Sequence, residues 1–409
     1  MKVGLVISGT TPKEGGGFTF VSELLRALSL VKDGCKHEFV ICHRNKVADL
    51  AAMFPTFQKV DLYAEAKKLS SLREKLKWIC ARQLLKLNPA ALRLPARPSG
   101  EERVYAQHNI QFLIQIQPWV MTTLDIPYAT VLWDLQHRNN PWFPEVCAKG
   151  NWEKREAHFS LLLRRASVIY TGCEHGRREI ASYYQVPSER IKLLPFPTPG
   201  FALAAADERL DAEVLNRLRV PRDYIFYPAQ FWAHKNHVVV LEACKLIRER
   251  TGWDLGVVFV GWDYGNADYV RRYAHSLGLD KCVVFLGFVE QAELIQLYKG
   301  AFSLAFATFC GPDNLPPLEA FALGCPVVAS AVPGASEQLG EAALFFPPGD
   351  EHALAEKLLL LRDLRVRARL IACGRERART YTWEGYVQQL IASMDEFEAV
   401  RRAWAFGRK

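Results

Sequence analysis

A single carboxylate, Glu319, stands in the otherwise apolar run NLPPLEAFALG, residues 314–324. Pro316 and Pro317 lack N–H groups and suit the first turn of a helix. The N–H groups just ahead of them, at Asn314 and Leu315, would have no helical partner, and such a helix start favours phosphate. Glu319 lies one turn further in, where a carboxylate can accept two hydrogen bonds from a ribose diol. The alternative for these residues is a capped core helix. Lys235, in YPAQFWAHKNH (227–237), raises a second question. The helix dipole disfavours a cation at a helix start unless an anion is bound. A solvated lysine is the other reading. His234 and His237 stand three apart without a third ligand nearby, so no metal site is expected.

Two further stretches sit where chemistry could occur. Gly15, Gly16 and Gly17 follow the first apolar strand and precede a helical pattern. Glycines let a backbone approach a phosphate or sugar closely. The pattern is not G-x-G-x-x-G and no acid closes a second strand, so a nicotinamide site is not expected. Asp134, His137 and Arg138 lie in VLWDLQHRNNPWFPE (131–145), again after a strand. A structural loop is the competing reading there.

Short apolar strands alternate with helical patterns to position these residues. The first half reads KVGLVIS, HEFVIC, KVDLY, RVYAQ, YATVLW, SVIYTG and IKLLPF; the second reads YIFYPA, DLGVVFVG, CVVFLG, FSLAFAT, PVVAS and ALFFPP. Near-continuous apolar strands between helices predict parallel sheets covered on both faces, in two doubly wound α/β domains. The prolines and glycine of LLPFPTPGF (193–201) mark the break. This divides the chain into 1–199, 200–380 and a closing helical segment, 381–409. A polar helix is expected from Leu203 to Arg219. Ligands of such sheets bind beyond the carboxyl ends of the strands, here in the cleft between domains.

The chain's 409 residues are too many for one ordinary core, and its 23% charged residues fit a globular protein rather than a disordered one. No apolar run is long enough to span a bilayer, and the start shows no signal-peptide pattern, so a cytoplasmic location is expected. The ten cysteines are scattered without a C-x-x-C and read as reduced packing residues.

The order of these pieces resembles the retaining glycosyltransferases of the GT-B fold, specifically the large family 4. The resemblance rests on the glycine turn, CEHGRREIASYYQVPSERIKLLPFP, the lysine of HKNH, VVFLGFVEQAEL, NLPPLEAFALGCPVVAS, PGASEQLGEAALFFPPGD and YTWEGY. It implies that Lys235 binds a donor diphosphate and that Glu319, as the second Glu of E-x7-E, holds the ribose. It further implies that Gly287, Phe288 and Val289 touch the base. Asn314 and Leu315 would offer backbone donors to the diphosphate, and Gly16 and Gly17 would lie beside phosphate and sugar. The last helix should cross back onto the first domain. Three positions depart from the family. The first Glu of E-x7-E is Gly311, with Asp313 the nearest acid. The family's arginine is Gln230, which offers only neutral hydrogen bonds. The cleft histidine is Trp133, with His137 as substitute and His108 a weaker one. Lys235, Asp313, His137 and Asp134 are thus the expected catalytic residues.

No cofactor is expected, and the absence of an Asp-x-Asp triplet means no metal is required. The form of YPAQFWAHKNH favours GDP-mannose as the donor substrate, followed by a UDP-sugar or deoxy-sugar. The implied reaction is retaining hexosyl transfer to a glycan or lipid-linked acceptor. A non-catalytic nucleotide- or glycan-binding scaffold is the alternative, and a sugar-nucleotide epimerase the third reading. Net charge is +8, and residues 67–97 hold nine Lys/Arg against one acid. Leu69, Leu72, Leu76 and Ile79 fall there at helical spacing. This segment is expected to be an amphipathic basic helix, either packed on its own domain or docked on anionic lipid. Nucleic acid is not expected, because interleaved aromatics are missing.

Overall fold

The computed structural model describes residues 1–7, 11, 15–44, 48–69, 100–118 and 126–404. Two wholly parallel sheets carry the chain. The first holds β1 (Lys2–Ile7), β2 (Glu38–His43), β3 (Gln58–Asp61), β4 (Phe112–Gln115), β5 (Tyr128–Val131), β6 (Val168–Thr171) and β7 (Ile191–Leu193), in the order β3-β2-β1-β4-β5-β6-β7. The second holds β8 (Tyr224–Pro228), β9 (Gly256–Val260), β10 (Val283–Gly287), β11 (Ser303–Phe306), β12 (Val327–Ser330) and β13 (Ala343–Phe346), in the order β10-β9-β8-β11-β12-β13. In both, the order reverses beside the first strand laid down, which opens a crevice at the strand ends. Strands such as β5, β6, β9 and β12 are buried at every position, as two covered faces demand.

The chain has the GT-B architecture: two Rossmann-like domains facing a cleft. The last helix, Trp383–Arg401, returns to the first of them. Trp383 and Tyr386 pack on Phe20 at ring distances of 5.6 and 5.8 Å, and Phe397 packs on Phe112 at 5.0 Å. His37 and Lys36 each reach Asp395 at 2.9 Å. Among the described residues no helix is long and apolar enough to cross a membrane.

Two local expectations fail. Residues 103–107, expected as a strand, belong to the helix Gly100–Gln107. Glu101 and Glu102 favour its first turn, and the adjacent Val104 and Tyr105 are both buried, imitating strand composition. The strand lies five residues on, as β4. The helix expected over 203–219 is two short ones, Gly200–Ala204 and Ala212–Arg217, the second capped by Asp211, which accepts from Glu213 N–H at 2.9 Å. Most of the basic segment 67–97 lies outside the described residues; Lys67 and Lys68 end the helix Leu62–Leu69.

Candidate active site

The loop after β11 and the helix Leu315–Ala322 build one wall of the cleft. Gly311 adopts φ +106°, which only glycine takes readily, and its carbonyl accepts the Asn314 side-chain amide at 2.7 Å. This tight turn explains why no glutamate stands there. The Asn314 N–H, expected to be free, donates to Gln338 Oε1 at 3.0 Å, while Gln338 Nε2 donates to the Asn314 carbonyl at 2.9 Å. Asn314 is thus a fixed pivot rather than a donor. Leu315 N–H remains at the helix start, since the two prolines after it carry none.

Glu319 is 7% exposed and accepts the Tyr298 hydroxyl at 2.7 Å. Burial raises its carboxyl from 4.5 to about 7, against the opposing pull of the Tyr298 bond. The O–H donors of a diol would favour the charged form. Without a ligand, the folded chain keeps a proton on Glu319 that the unfolded chain has lost. Stability is therefore expected to fall as pH rises from 4.5 to about 7. Glu319→Gln should show less of this fall in thermal melts between about pH 5 and about pH 8. Parallel slopes in both proteins would refute it.

Lys235 closes the turn Ala233–Lys235 after β8, two residues before the helix His237–Thr251. Its ammonium lies 5.3 Å from the Phe306 ring centroid, with no carboxylate within 4.0 Å among the described residues. Burial lowers its pKa, opposed by Cys310, Asp134 and Glu145. His234 and His237 diverge. The first meets Glu145 at 2.5 Å, and the second stacks on Phe231 at 4.4 Å inside the domain. Gln230 turns its carbonyl to Trp232 Nε1 at 3.0 Å.

The facing wall begins with Gly15–Gly17. A methyl group on Gly15, Gly16 or Gly17 would stand 3.4 Å from Gln230, 3.7 Å from Leu315 or 3.5 Å from Trp133 respectively. Gly16 and Gly17 open the helix Gly16–Val31, whose first N–H groups have no partner within it. Asp134 also lines the cleft, but its Oδ1 accepts from Gln136 N–H and from the Arg155 guanidinium, both at 2.9 Å. Asp313 reaches across to β6. Its Oδ2 lies 1.1 Å from where a methyl on Gly172 would be, and its Oδ1 is buried with no partner among the described residues. Burial, then Glu337, raises its carboxyl to about 7.

His137 does not serve the cleft. It is fully buried, contacts Glu156 at 3.2 Å and Tyr184 at 3.1 Å, and packs on Phe159. Its neighbours are the helices Asn151–Arg165 and Glu174–Tyr184, so it braces the first domain. His108 is likewise engaged, with Glu65 at 2.9 Å. Gly287 ends β10 and accepts Gly261 N–H at 2.9 Å, while Phe288 and Val289 line the cleft beside it. With Val260, Trp262 and Leu294 they give apolar lining to a cavity of about 380 Å³, a size usual for ligand sites. Trp262, Tyr298, Gln338, Glu145 and Glu337 were not expected. Only Trp262 carried a sequence signal, standing two residues beyond β9.

Residues 215–377 match the family described as glycosyl transferases group 1. Over 250 residues the chain is 27% identical to O-antigen chain mannosyltransferase B of Escherichia coli, covering 61% of this chain and 65% of that protein. It thus spans less than two thirds of that relative's length. Among solved structures, sucrose-phosphate synthase of Thermosynechococcus elongatus superposes with TM-score 0.68 at 18% identity, over 98% of this chain and 100% of that one. Anabaena HepE in complex with UDP and glucose superposes with TM-score 0.66 at 15% identity, over 97% and 100%.

Proposed function

We propose that the chain, whose residues 215–377 match the glycosyl transferases group 1 family and which has the GT-B fold, is a retaining, metal-independent hexosyltransferase of the family 4 type. It takes the sugar from a nucleotide donor, with mannose the favoured hexose, and places it on a glycan or lipid-linked acceptor. Assembly of a surface polysaccharide or glycolipid on the cytoplasmic side is the setting proposed. One observation carries this reading. The cleft holds Lys235, a cation without a carboxylate partner among the described residues, in the same cavity as a helix start at Leu315 and a buried Glu319. The E. coli relative is named a mannosyltransferase, and the HepE structure holds UDP and glucose, which supports a nucleotide-sugar donor.

The diphosphate lies against Lys235, Leu315 N–H and the first N–H groups of the Gly16 helix. The ribose lies on Glu319 and the base against Trp262, Phe288 and Val289. The acceptor hydroxyl forms a bond to the anomeric carbon as the bond from that carbon to the phosphate oxygen breaks. The proton passes to a phosphate oxygen on the same face, so configuration is retained. Lys235 and the N–H groups meet the charge that builds on the leaving diphosphate. Asp313 orients the sugar.

Calorimetry with UDP, GDP and their sugar conjugates tests this. Wild type is expected to bind one nucleotide selectively, and Glu319→Ala to bind it at least about tenfold more weakly, the value of one or two lost hydrogen bonds to a charged group. Failure to bind any nucleotide would favour the scaffold reading, which the departures at Gln230, Gly311 and Trp133 motivate.

A further inference from the structure

Two carboxylates cross the cleft without touching the cavity. Glu145, on the short helix Pro144–Cys147 of the first domain, reaches the turn of the second domain that carries Lys235. Its Oε1 accepts His234 N–H at 3.1 Å and meets the His234 ring at 2.5 Å, with both side chains nearly buried. Phe143 packs against the His234 ring and against Phe309 at 6.1 and 5.6 Å, while Phe309 N–H donates to the His234 carbonyl at 2.8 Å. His234 is thus held from both domains, one residue before Lys235.

Glu337 does the reverse. It sits on the helix Ala335–Leu339 of the second domain and accepts N–H groups of Glu174 and His175 at 2.6 and 3.0 Å. These open the first-domain helix Glu174–Tyr184, where the dipole favours a carboxylate. The next residue, Gln338, holds both backbone groups of Asn314, directly ahead of the Leu315 helix start.

We propose that Glu145 and Glu337 are positioning residues of the transfer, clasps that couple domain closure to the two halves of the diphosphate cradle. This rests on the transfer reading above. Each carboxylate binds backbone N–H groups of the opposite domain, and each contact lies one residue from a segment that forms or holds the cradle. Closure therefore sets Lys235 and Leu315 in their working positions. Opening leaves the second domain able to bind nucleotide with a loosened cradle.

The test compares the full chain with Glu145→Ala, Glu337→Ala, the double variant and Glu145→Gln. Affinity for UDP and GDP should stay within about threefold, since the clasps lie outside the cavity. Each alanine variant should lower kcat by about tenfold, and the double variant by more, with KM for the donor little changed. Glu145→Gln should keep most of the activity, because its amide oxygen still accepts from His234. With nucleotide bound, small-angle scattering should show the double variant more extended than wild type. Unchanged kcat in both alanine variants, or kcat and affinity falling together with melting temperature, would overturn the proposal. If wild type turns over no donor, the transfer reading fails by itself. Scattering then decides the clasps alone: an extended double variant supports them, and identical curves refute them.

Discussion

Lys235→Ala is expected to lower kcat about a thousandfold, with donor KM rising by less than about tenfold. The ammonium has no carboxylate within 4.0 Å among the described residues, so its charge is not spent inside the protein. It lies in a partly enclosed cleft over an aromatic ring, where a charge acts more strongly than in water. The leaving diphosphate gains charge as the glycosidic bond breaks, and a cation fixed beforehand needs no reorganisation at that moment. One preorganised donor is worth about a hundred- to a thousandfold. The upper end is expected because position 230 is glutamine, whose side chain already accepts from Trp232. Among the described residues that line the cleft, removing Lys235 leaves only neutral N–H groups for the phosphates. Burial also lowers the lysine's pKa, so turnover in wild type should fall at alkaline pH below the ordinary lysine value of 10.5. A steady-state assay with the turned-over donor checks both, and a kcat within about fivefold of wild type would sink the assignment. The melting temperature should not fall, since a desolvated, unpaired cation contributes nothing to stability.

The second domain was legible because its signals are local. β11, the paired prolines, Glu319 and β12 fall within Ser303–Ser330, so strand, helix start and buried acid could be read from one run of residues. The first domain misled where local composition and tertiary role diverge. Val104 and Tyr105 are adjacent and apolar yet helical, the buried residues of a helix whose first turn carries Glu101 and Glu102. His137 directly follows the cleft-lining Gln136 but turns inward, its ring held between Glu156, Tyr184 and Phe159. Nothing in the spacing of DLQH separates these two directions. Contacts across the cleft were invisible for a different reason. Glu145 and His234 are 89 residues apart, and Glu337 and Glu174 are 163 apart. Each is an ordinary charged residue in its own segment, and its function exists only once two domains meet. The Asn314 N–H shows the same effect in small: helix geometry leaves it free, and Gln338, 24 residues on, takes it.

Gly172→Ala is expected to lower kcat by about a hundredfold or more while nucleotide affinity and melting temperature barely move. The backbone of Gly172 lies outside the left-handed region, so alanine fits the residue's own conformation. The obstacle is Asp313, whose Oδ2 sits 1.1 Å from the added methyl. The carboxylate would have to retreat by about 2 Å, far more than a close-packed contact yields. That retreat opens the cleft on the side where Glu337 meets Glu174, and it moves the unpaired Oδ1 of Asp313 away from the sugar it is proposed to orient. A displacement of about 1 Å at a reacting centre already costs about a hundredfold. Asp313→Ala removes the obstacle and the carboxylate together. The two substitutions should therefore not add: Asp313→Ala and the Gly172→Ala/Asp313→Ala pair are expected to share one low kcat, within the scatter of a double-mutant cycle. If the pair instead recovers wild-type turnover, Asp313 is a spacer between domains and has no part in orienting the sugar. If Gly172→Ala turns over normally, the closed cleft is not the state in which transfer occurs.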